Sequence, residues 1–320
     1  MPVEIKDPHL PFAFFQGEFV PTQDANINIM THGLQYGIGC FGGIRGYWSE
    51  EQETLYVFRL RDHFQRLIDS CRILQMKLRY GLDELVGHVL ELVQRNGFRG
   101  DSYFRPFVYS SVHRLTPRLH DVDHEYALYS IPLKDYIDTT RGLKVVVSSW
   151  RRVDDDVMPT RAKASGAYLN SALAKSEAIQ HGADEALLLN RDGHISEGSA
   201  ENFFMIRGGV LHTTSITDNI LEGITRRTLL QLAAEELGLK TVERPIGRTE
   251  VYVADEVFLC GTGAQVAWVQ QVDGRPIGDG RIGPITARLK SLYLDIVRGK
   301  VEGYRDWLTA VALSRTAAVR

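Results

Sequence analysis

Several features that define protein classes are scarce or missing in this sequence. The 320 residues include three cysteines, Cys40, Cys71 and Cys260, and their wide spacing forms no CxxC pair. This spacing argues against a disulfide framework or a structural zinc site and predicts free thiols in a reducing cytosol. No apolar run approaches the roughly 20 residues that a membrane span requires, and no basic-then-apolar leader follows Met1. We therefore expect a cytoplasmic protein with no membrane partner and no metal site.

An excess of positive charge is also missing. Lysine and arginine total 37 against 40 aspartate and glutamate residues, which gives a formal net charge of −3, whereas nucleic-acid-binding chains are normally basic. Hydrophobic residues make up 44% and charged residues 24%, as in folded globular chains, which excludes the disordered, collagen-like and coiled-coil classes. At about 100–200 residues per domain, the length predicts two domains.

The first part of the chain mixes strands and helices. Apolar runs and turn residues predict strands at 18–21, 55–58, 102–109 and 125–131. The helical period predicts two helices, one capped by Asp62 and one capped by Asp83 and ended by Asn96-Gly97. We expect a small α/β N-terminal domain over residues 1–131, followed by a polar interdomain linker at 132–142.

Strands dominate the second part of the chain. They are predicted at 143–150, 186–189, 202–206, 210–212, 256–260 and 266–272. Helices are predicted at 166–180, at 225–237 and along the apolar series Ile285, Leu289, Leu292 and Ile296. Residues 143–320 are therefore expected to form a larger, strand-rich C-terminal domain, and the fold class is α+β.

Four short segments contain residues suited to chemistry. Lys163 precedes a predicted helix, where the positive end of the helix dipole opposes its charge and favours the neutral amine that attacks an aldehyde. Glu197 follows a hairpin turn. Gly223–Arg226 opens a helix whose free N–H groups suit an anion, and Gly261–Ala264 can form a backbone nest. Taken singly, these residues also fit a solvated lysine, a surface acid and an ordinary helix cap.

Together, these segments resemble one family. Eight motifs occur in its order: His32–Gly37, Phe41–Arg45, His63–Leu67, Tyr103–Pro106, Pro159–Lys163 with Tyr168-Leu169, Ser196–Gly198 with Glu201-Asn202, Gly223–Arg226, and Gly261-Thr262. From about His32 to Trp307, the chain resembles the fold type IV pyridoxal-phosphate enzymes, most closely the branched-chain amino acid aminotransferases. The resemblance implies the two-domain fold of that class.

The resemblance also implies pyridoxal 5'-phosphate as the cofactor and Lys163 as the catalytic residue, which binds the cofactor covalently and shuttles a proton. Glu197 matches the acid at the pyridine nitrogen, Tyr168 the residue at the ring 3'-oxygen, and Leu221 an apolar residue under the ring. The matches to the phosphate-binding residues are Arg66, Gly223, Ile224, Thr225 and Thr262.

A substrate pocket with aromatic and arginine side chains is implied as well. Its residues are Tyr36, Phe41, Gly43, Arg45, Tyr103, Arg105, Tyr136, Gly263 and Ala264. Bulky aromatics suit a branched apolar side chain, and the arginines suit a carboxylate; Phe41 is also a candidate core residue. Because the partner subunit contributes to the pocket in this family, the resemblance implies a homodimer or higher homo-oligomer with a shared active site.

Two departures bear on the substrate. Many relatives have Phe-Glu-Gly where this chain has Phe41-Gly42-Gly43, and the loop 110–118 is more polar and basic than the glycine-rich apolar loop of branched-chain members. One hypothesis is that His113, Arg114 or Arg118 shifts the accepted substrates toward acidic or unusual amines. The alternative is that the loop is simply solvated.

The implied activity is a ping-pong transfer of the amino group of leucine, isoleucine or valine to 2-oxoglutarate. Rivals with the same fold are a D-amino acid or (R)-amine transaminase and an aminodeoxychorismate lyase, but Arg45, Tyr103 and Arg105 match the branched-chain pattern. The presence of Lys163 and Glu197 disfavours a non-catalytic binding protein. The incomplete glycine pattern at 261–263 disfavours a nucleotide-binding oxidoreductase.

Overall fold

The computed structural model describes residues 9–133 and 141–313, and these form two compact units. The described residues of the first unit are 9–133, 162–166 and 295–313, and those of the second are 141–161 and 167–294. Each unit is built around one sheet, and helices and strands occur in both, as the α+β prediction requires.

The elements are numbered in chain order. The strands are β1 (Phe12–Phe15), β2 (Glu18–Pro21), β3 (Gly39–Phe41), β4 (Ile44–Ser49), β5 (Thr54–Phe58), β6 (Ser102–Ser110), β7 (His124–Pro132), β8 (Leu143–Arg151), β9 (Glu185–Leu189), β10 (Ile195–Gly198), β11 (Asn202–Arg207), β12 (Val210–Thr213), β13 (Thr241–Glu243), β14 (Glu256–Gly261), β15 (Gln265–Val272), β16 (Arg275–Pro276) and β17 (Leu308–Ala312). The α-helices are α1 (His32–Gln35), α2 (Leu60–Ile73), α3 (Leu82–Asn96), α4 (Tyr168–Gln180), α5 (Ile224–Glu235), α6 (Arg248–Val251) and α7 (Pro284–Val297).

The sheet of the first unit is antiparallel at each described pairing. Its strand order is β17-β5-β4-β6-β7-β1-β2, with β3 added beside β6. The predicted strands at 102–109 and 125–131 are confirmed as β6 and β7, which pair with each other. Successive side chains of a strand alternate between faces, so burying Phe104 and Val108 places Tyr103 and Arg105 together on the opposite face.

The sheet of the second unit is mixed. Its order is β10-β9-β8-β15-β14-β11-β12-β13, with β16 added beside β15. Strand β8 runs parallel to both β9 and β15, whereas β11 and β14 are antiparallel neighbours. One core cluster includes Phe203, Leu259 and Val269, and a second forms where α4 packs its alanines against β9. The predicted strands and the three predicted helices, now α4, α5 and α7, are confirmed within two residues.

The predicted caps of two helices are wrong. Helix α2 begins after Arg59, which has a left-handed conformation with φ of 45°, and helix α3 begins after Gly81. Asp62 and Asp83 instead lie in the first helical turns. The helix dipole favours an acid throughout the first turn, so an acidic residue marks the turn without identifying the cap. The predicted helix end at Asn96-Gly97 is confirmed, since Gly97 has a φ of 57°.

The division of the chain differs from the predicted boundaries. Most of the predicted linker, residues 134–140, lies outside the described residues, and so does Tyr136. Residues 162–166, which include Lys163, and residues 295–313 belong to the first unit and not to a continuous C-terminal domain. The reason is strand pairing, because β17 pairs with β5 and Ala164 forms a bridge to Cys40.

The three cysteine thiols are buried and unbridged. The Sγ atoms of Cys40 and Cys71 lie 3.5 Å apart. Hydrogen bonding with Cys71 and burial together raise the pKa of the Cys40 thiol well above its usual value, which keeps it in the unreactive protonated form.

Across 9–133 and 141–313, no helix has the length and apolar character needed to span a bilayer.

The side chain of Asn96 connects α3 to two strands of the first unit. Its Oδ1 accepts from Phe12 N–H over 2.8 Å, and its Nδ2 donates to Phe12 O over 3.2 Å and to Ser130 Oγ over 3.1 Å. We predict that Asn96→Ala lowers the free energy of unfolding by about 2–3 kcal/mol, because it leaves the Phe12 N–H without a partner. Urea unfolding is the measurement.

The exposed Asn26, whose amide donates to Gln23 O over 2.9 Å, supplies the control for this prediction. Asn26→Ala should change stability by less than about 0.5 kcal/mol. Equal losses for the two variants would contradict the assigned role of Asn96.

Candidate active site

The backbone of Lys163 is held in place by two elements of the first unit. Its carbonyl accepts from Phe41 N–H over 3.1 Å, and its N–H donates to Ser70 Oγ over 3.2 Å. The next residues continue this pairing, because Ser165 N–H donates to Gly39 O over 2.8 Å. The half-buried lysine is therefore fixed between β3 and α2, and its Nζ lies 5.3 Å from the centroid of the Phe41 ring.

Helix α2 also contains the predicted phosphate ligand Arg66. Ser70 Oγ, which accepts from Lys163 N–H, donates to Arg66 O one turn earlier over 2.8 Å. The hydroxyl thus connects the backbone of the lysine segment to the backbone of Arg66. A guanidinium suits phosphate because its planar N–H groups can donate two parallel hydrogen bonds.

Four of the predicted substrate residues come together in the first unit. Arg105 Nη2 donates to Tyr103 Oη over 2.9 Å, and its Cζ lies 4.4 Å from the centroid of the Phe41 ring. Gly43 completes the group, since a Cβ at this position would lie 2.2 Å from Tyr103 Oη. Arg105 Nε is buried without a hydrogen-bond partner in the described structure, so this cation retains donor capacity for an anion.

Two further predicted substrate residues, Arg45 and Tyr36, bond to the backbone of other segments. Arg45 is opposite Tyr103 in the pairing of β4 with β6, is 2% exposed and donates to Leu133 O over 3.4 Å. Tyr36 follows α1, and its hydroxyl donates to Leu115 O over 3.2 Å. Tyr36 therefore contacts the 110–118 loop.

The loop 110–118 is attached to α1 and the residue before it. His32 N–H donates to Val112 O over 3.1 Å, and Thr31 Oγ1 lies 3.4 Å from His113 Nε2. The His32 ring also hydrogen-bonds to Arg114 O. The backbone of the loop is thus fixed while Leu115 stays 78% exposed.

In the second unit, Glu197 is a buried carboxylate with several donors. Its Oε1 lies 3.0 Å from Arg152 Nη2, and its Oε2 accepts from Asn202 Nδ2 and from Leu221 N–H, each over 3.1 Å. The side chains of Glu197 and Arg152 are 7% and 9% exposed. A positive partner and two further donors favour the ionised carboxylate, so the site presents a fixed anion.

Asn202 connects this acid to the predicted phosphate segment. Its Nδ2 donates to Leu221 O over 2.9 Å, and a Cβ at Gly223 would lie 1.9 Å from its Oδ1. Position 223 therefore requires glycine for close approach. Gly223 is the N-cap of α5, so Glu197 and the N-terminus of this helix are held by one amide side chain.

The first turn of α5 offers donors to an anion. The first intrahelical bond is from Arg227 N–H to Gly223 O over 3.0 Å, so the N–H groups of Ile224 and Thr225 have no intrahelical acceptor. Asn202 pairs with Cys260 in the sheet, so β14 leads beside Asn202 into the turn Thr262–Ala264. Backbone and hydroxyl donors of this kind bind phosphate.

Tyr168 is the first residue of α4. The helix starts two residues later than predicted, so Lys163 precedes it by five residues, and a turn at Gly166 and Ala167 lies between them. The bridge to β3 and the bond to Ser70, described above, are the contacts that fix this lysine segment.

Each unit, taken by itself, contains groups that suit pyridoxal phosphate. The cofactor needs an amine for its aldehyde, an acid at its ring nitrogen and donors for its phosphate. The first unit contains the amine of Lys163 and the guanidinium of Arg66, and the second contains the acid Glu197 and the free N–H groups at the start of α5. No group of three histidine, cysteine or acidic residues within 9–133 and 141–313 could hold a metal ion.

Residues 39–272 match the family described as amino-transferase class IV. A relative from Aquifex aeolicus, described as a probable branched-chain-amino-acid aminotransferase, is 47% identical over 307 residues, covering 96% of this chain and 99% of the relative.

Two solved structures are similar throughout. The branched-chain aminotransferase of Thermoproteus uzoniensis with norvaline has a TM-score of 0.90 and 42% identity, covering 94% of this chain and 99% of that one. The T.th. branched-chain amino acid aminotransferase complexed with N-(5'-phosphopyridoxyl)-L-glutamate has a TM-score of 0.88 and 37% identity, covering 94% of this chain and 98% of that one.

Two residues of this site were missed or left without a role by sequence reasoning. Arg152 follows β8 and has no spacing relation to Glu197 that a sequence pattern could reveal. Asn202 belongs to a recognised motif, but its three contacts depend on chain segments that only the folded structure brings together. A basic residue at the end of a strand is too common a feature to predict such a contact.

We predict that Arg152→Met lowers the free energy of unfolding by about 3 kcal/mol, because it leaves a buried carboxylate without its ion partner. The same substitution in a Glu197→Gln background should cost at least about 1.5 kcal/mol less, since the neutral amide needs no cation. Denaturant unfolding of the four proteins of this cycle is the measurement.

The half-exposed Arg161 of the same unit, which pairs with Glu222 over 3.1 Å, provides the control. Arg161→Met should cost less than about 1 kcal/mol. Additive effects of the Arg152 and Glu197 substitutions would contradict the buried ion pair.

Proposed function

The chain belongs to the class IV aminotransferase family, and on that premise we propose that it transfers the amino group of leucine, isoleucine or valine to 2-oxoglutarate. Pyridoxal 5'-phosphate is the cofactor. The observation that carries the proposal is the buried Glu197 carboxylate, held by Arg152, Asn202 and Leu221 beside the N-terminus of α5. A fixed anion next to an anion-binding helix end suits a ring that is cationic at its nitrogen and anionic at its phosphate.

When bound, the cofactor supplies an electron sink for the substrate carbon. Lys163 would hold the cofactor through its aldehyde and, once the substrate amine has displaced it, its freed amine would take the proton from the substrate Cα. Glu197 would keep the ring nitrogen protonated. Tyr168 would donate to the ring 3'-oxygen, Leu221 would support the ring, and Arg66, Gly223, Ile224, Thr225 and Thr262 would hold the phosphate.

The substrate pocket is proposed to combine an apolar wall with two cations. Phe41 and Tyr103 provide the wall, and Arg45 and Arg105 bind carboxylates. The remaining pocket residues are Tyr36, Gly43, Tyr136, Gly263 and Ala264. Norvaline and a phosphopyridoxyl-glutamate adduct are bound by the two similar structures, which supports an apolar donor and a 2-oxoglutarate acceptor that alternate in one site.

The proposal includes a cytoplasmic homodimer with a shared active site. Large apolar side chains before α1, in α1 and in the loop 110–118 are exposed. Their exposed fractions are 80% for Ile29, 58% for Leu34 and 78% for Leu115. An apolar surface of this kind marks an interaction site, and it supports the pairing of two subunits. The three unbridged cysteines suit a reducing compartment.

We predict that the purified protein with pyridoxal phosphate consumes L-leucine and L-valine with 2-oxoglutarate and leaves D-alanine and (R)-1-phenylethylamine essentially unused. Lys163→Ala should lower kcat at least about a hundredfold, since it removes the group that transfers the proton. Coupled detection of glutamate and the cofactor absorbance are the measurements.

Lys300→Ala, at an exposed lysine paired with Asp295, is the matched control and should retain both signals. Turnover of the D- or (R)-amines at rates like those of L-leucine would replace the proposed substrate class. A Lys163→Ala protein that kept full activity would end the proposal.

The basic loop 110–118 is proposed to favour acidic substrates through His113, Arg114 or Arg118. The loop backbone is bonded to His32 of α1 at Val112 and Arg114, which fixes the chain on either side of His113. We predict that Arg114→Ala lowers the ratio of kcat/KM for L-glutamate to that for L-leucine by about threefold to tenfold, the effect of losing one charged contact. Initial rates with both amino acids are the measurement, and unchanged ratios in all three single alanine variants would dismiss the role of the loop.

A further inference from the structure

The turn that links β10 to β11 contains a second buried acid, Glu201, to which the proposed function gives no role. Glu201 is 4% exposed. Its carbonyl accepts from Gly198 N–H over 2.6 Å, and its Oε2 accepts from Ala200 N–H over 3.0 Å. The backbone and the side chain of Glu201 therefore both close the turn that follows Glu197.

Glu201 also contacts the segment assigned to the phosphate. A Cβ built at Gly261 would lie 3.9 Å from both Cα and Cγ of Glu201, and a Cβ built at Gly198 would lie 3.0 Å from its Oε2. The side chain is thus packed between Gly198, next to the ring acid, and Gly261, next to Thr262. Its position affects both segments.

The charges around Glu201 do not balance if it is ionised. Glu185, at 1% exposure, already pairs with Lys175 Nζ over 2.5 Å and accepts from Ala186 N–H over 2.8 Å. Besides burial, the charge of this same carboxylate and hydrogen bonding with it raise the pKa of Glu201. Two buried carboxylates would share one partly exposed ammonium, and a buried anion without its own partner is costly.

We propose that Glu201 is a neutral carboxylic acid that donates its proton to the Glu185 carboxylate and, as a positioning residue, fixes the 197–202 turn against the Gly261 segment. A protonated acid is both a donor and an acceptor. It therefore satisfies Glu185 and Ala200 N–H at once. An ionised carboxylate accepts only, so it would lose the bond to Glu185 and repel it.

On balance, the groups around this site favour the neutral form of Glu201. Burial first, and then the charge of Glu185, raise the pKa of Glu201 to about 8, although Lys175 and Ala200 N–H oppose the shift. Burial also raises the pKa of the neighbouring Cys260 thiol, against the charge of Arg226, and the acids Glu201 and Glu197 add to that rise. The surroundings of Glu201 thus contribute two acids, one thiol and two cations.

The pH dependence of stability follows from this pKa. A proton held more tightly in the folded state stabilises that state below the ordinary glutamate pKa. The stabilisation declines as pH rises and is lost once pH passes about 8. Glu201→Gln keeps a neutral donor at every pH, so it should remove this part of the pH dependence.

The first test measures the proton directly, and it does not depend on the proposed activity. We expect the infrared spectrum of the wild type at neutral pH to contain the C=O stretch of a protonated carboxyl group that Glu201→Gln lacks. The unfolding temperature of Glu201→Gln, relative to wild type, should rise as pH increases toward 8. The control Glu235→Gln, at an exposed helix acid, should keep the infrared band and the wild-type pH dependence.

The second test measures positioning, and here the role rests on the proposed function, because it concerns the acid assigned to the cofactor ring. Glu201→Leu should lower kcat/KM for L-leucine about tenfold, the equivalent of one lost hydrogen bond, and should weaken cofactor binding. Glu201→Gln should keep wild-type kcat/KM at neutral pH and lose the decline that the wild type shows above pH 8.

Each of the two tests can overturn a different part of the proposal. A missing infrared band, or the same pH dependence of unfolding in wild type and Glu201→Gln, would overturn the proposal even in an active enzyme. Wild-type kcat/KM and cofactor affinity in Glu201→Leu would overturn the positioning role. If Glu201→Leu does not fold, the comparison of Glu201→Gln with wild type still decides. Absence of any aminotransfer by the wild type would count against the proposed function and leave the infrared result intact.

Discussion

The second unit depends on keeping one carboxylate buried and charged. An unpaired ion in that place would cost several kcal/mol, so the chain must bring donors to Glu197 from distant positions. Arg152 directly follows β8, Asn202 is the first residue of β11, and the Leu221 N–H comes from the segment before α5. The need to satisfy this anion fixes three segments at once, and the glycine at 223 lets the helix start approach Asn202 closely.

The first unit holds the backbone of one lysine in position. Lys163 lies in the second half of the sequence, yet its backbone pairs with β3 and bonds to Ser70 of α2. These bonds fix the backbone from which the amine extends. The proposed function needs such an arrangement, since misplacement by about 1 Å can cost a hundredfold in rate.

The long periodic elements were predictable because their signals are local. The helices α3 and α5 and the paired strands β6 and β7 were predicted from apolar spacing and turn residues alone. The caps at Asp62 and Asp83 were wrong, since an acid is favoured anywhere in a first turn. Strands β3 and β17 have no pattern of their own and exist through long-range pairing. Lys163 and Glu197 were recognised by resemblance. The role of Arg152 is evident only in the folded structure, from its contact with Glu197.

The pairing of β17 with β5 has a consequence during synthesis on the ribosome. Strand β5 ends at Phe58, but its neighbour at the sheet edge begins at Leu308. At roughly 5–20 residues per second, the nascent chain exposes one side of β5 for many seconds before its partner emerges. The second unit, whose described residues end at 294, can complete its sheet first. Premature termination near the C-terminus would therefore leave an open strand edge in the earliest part of the chain, where intermolecular pairing begins.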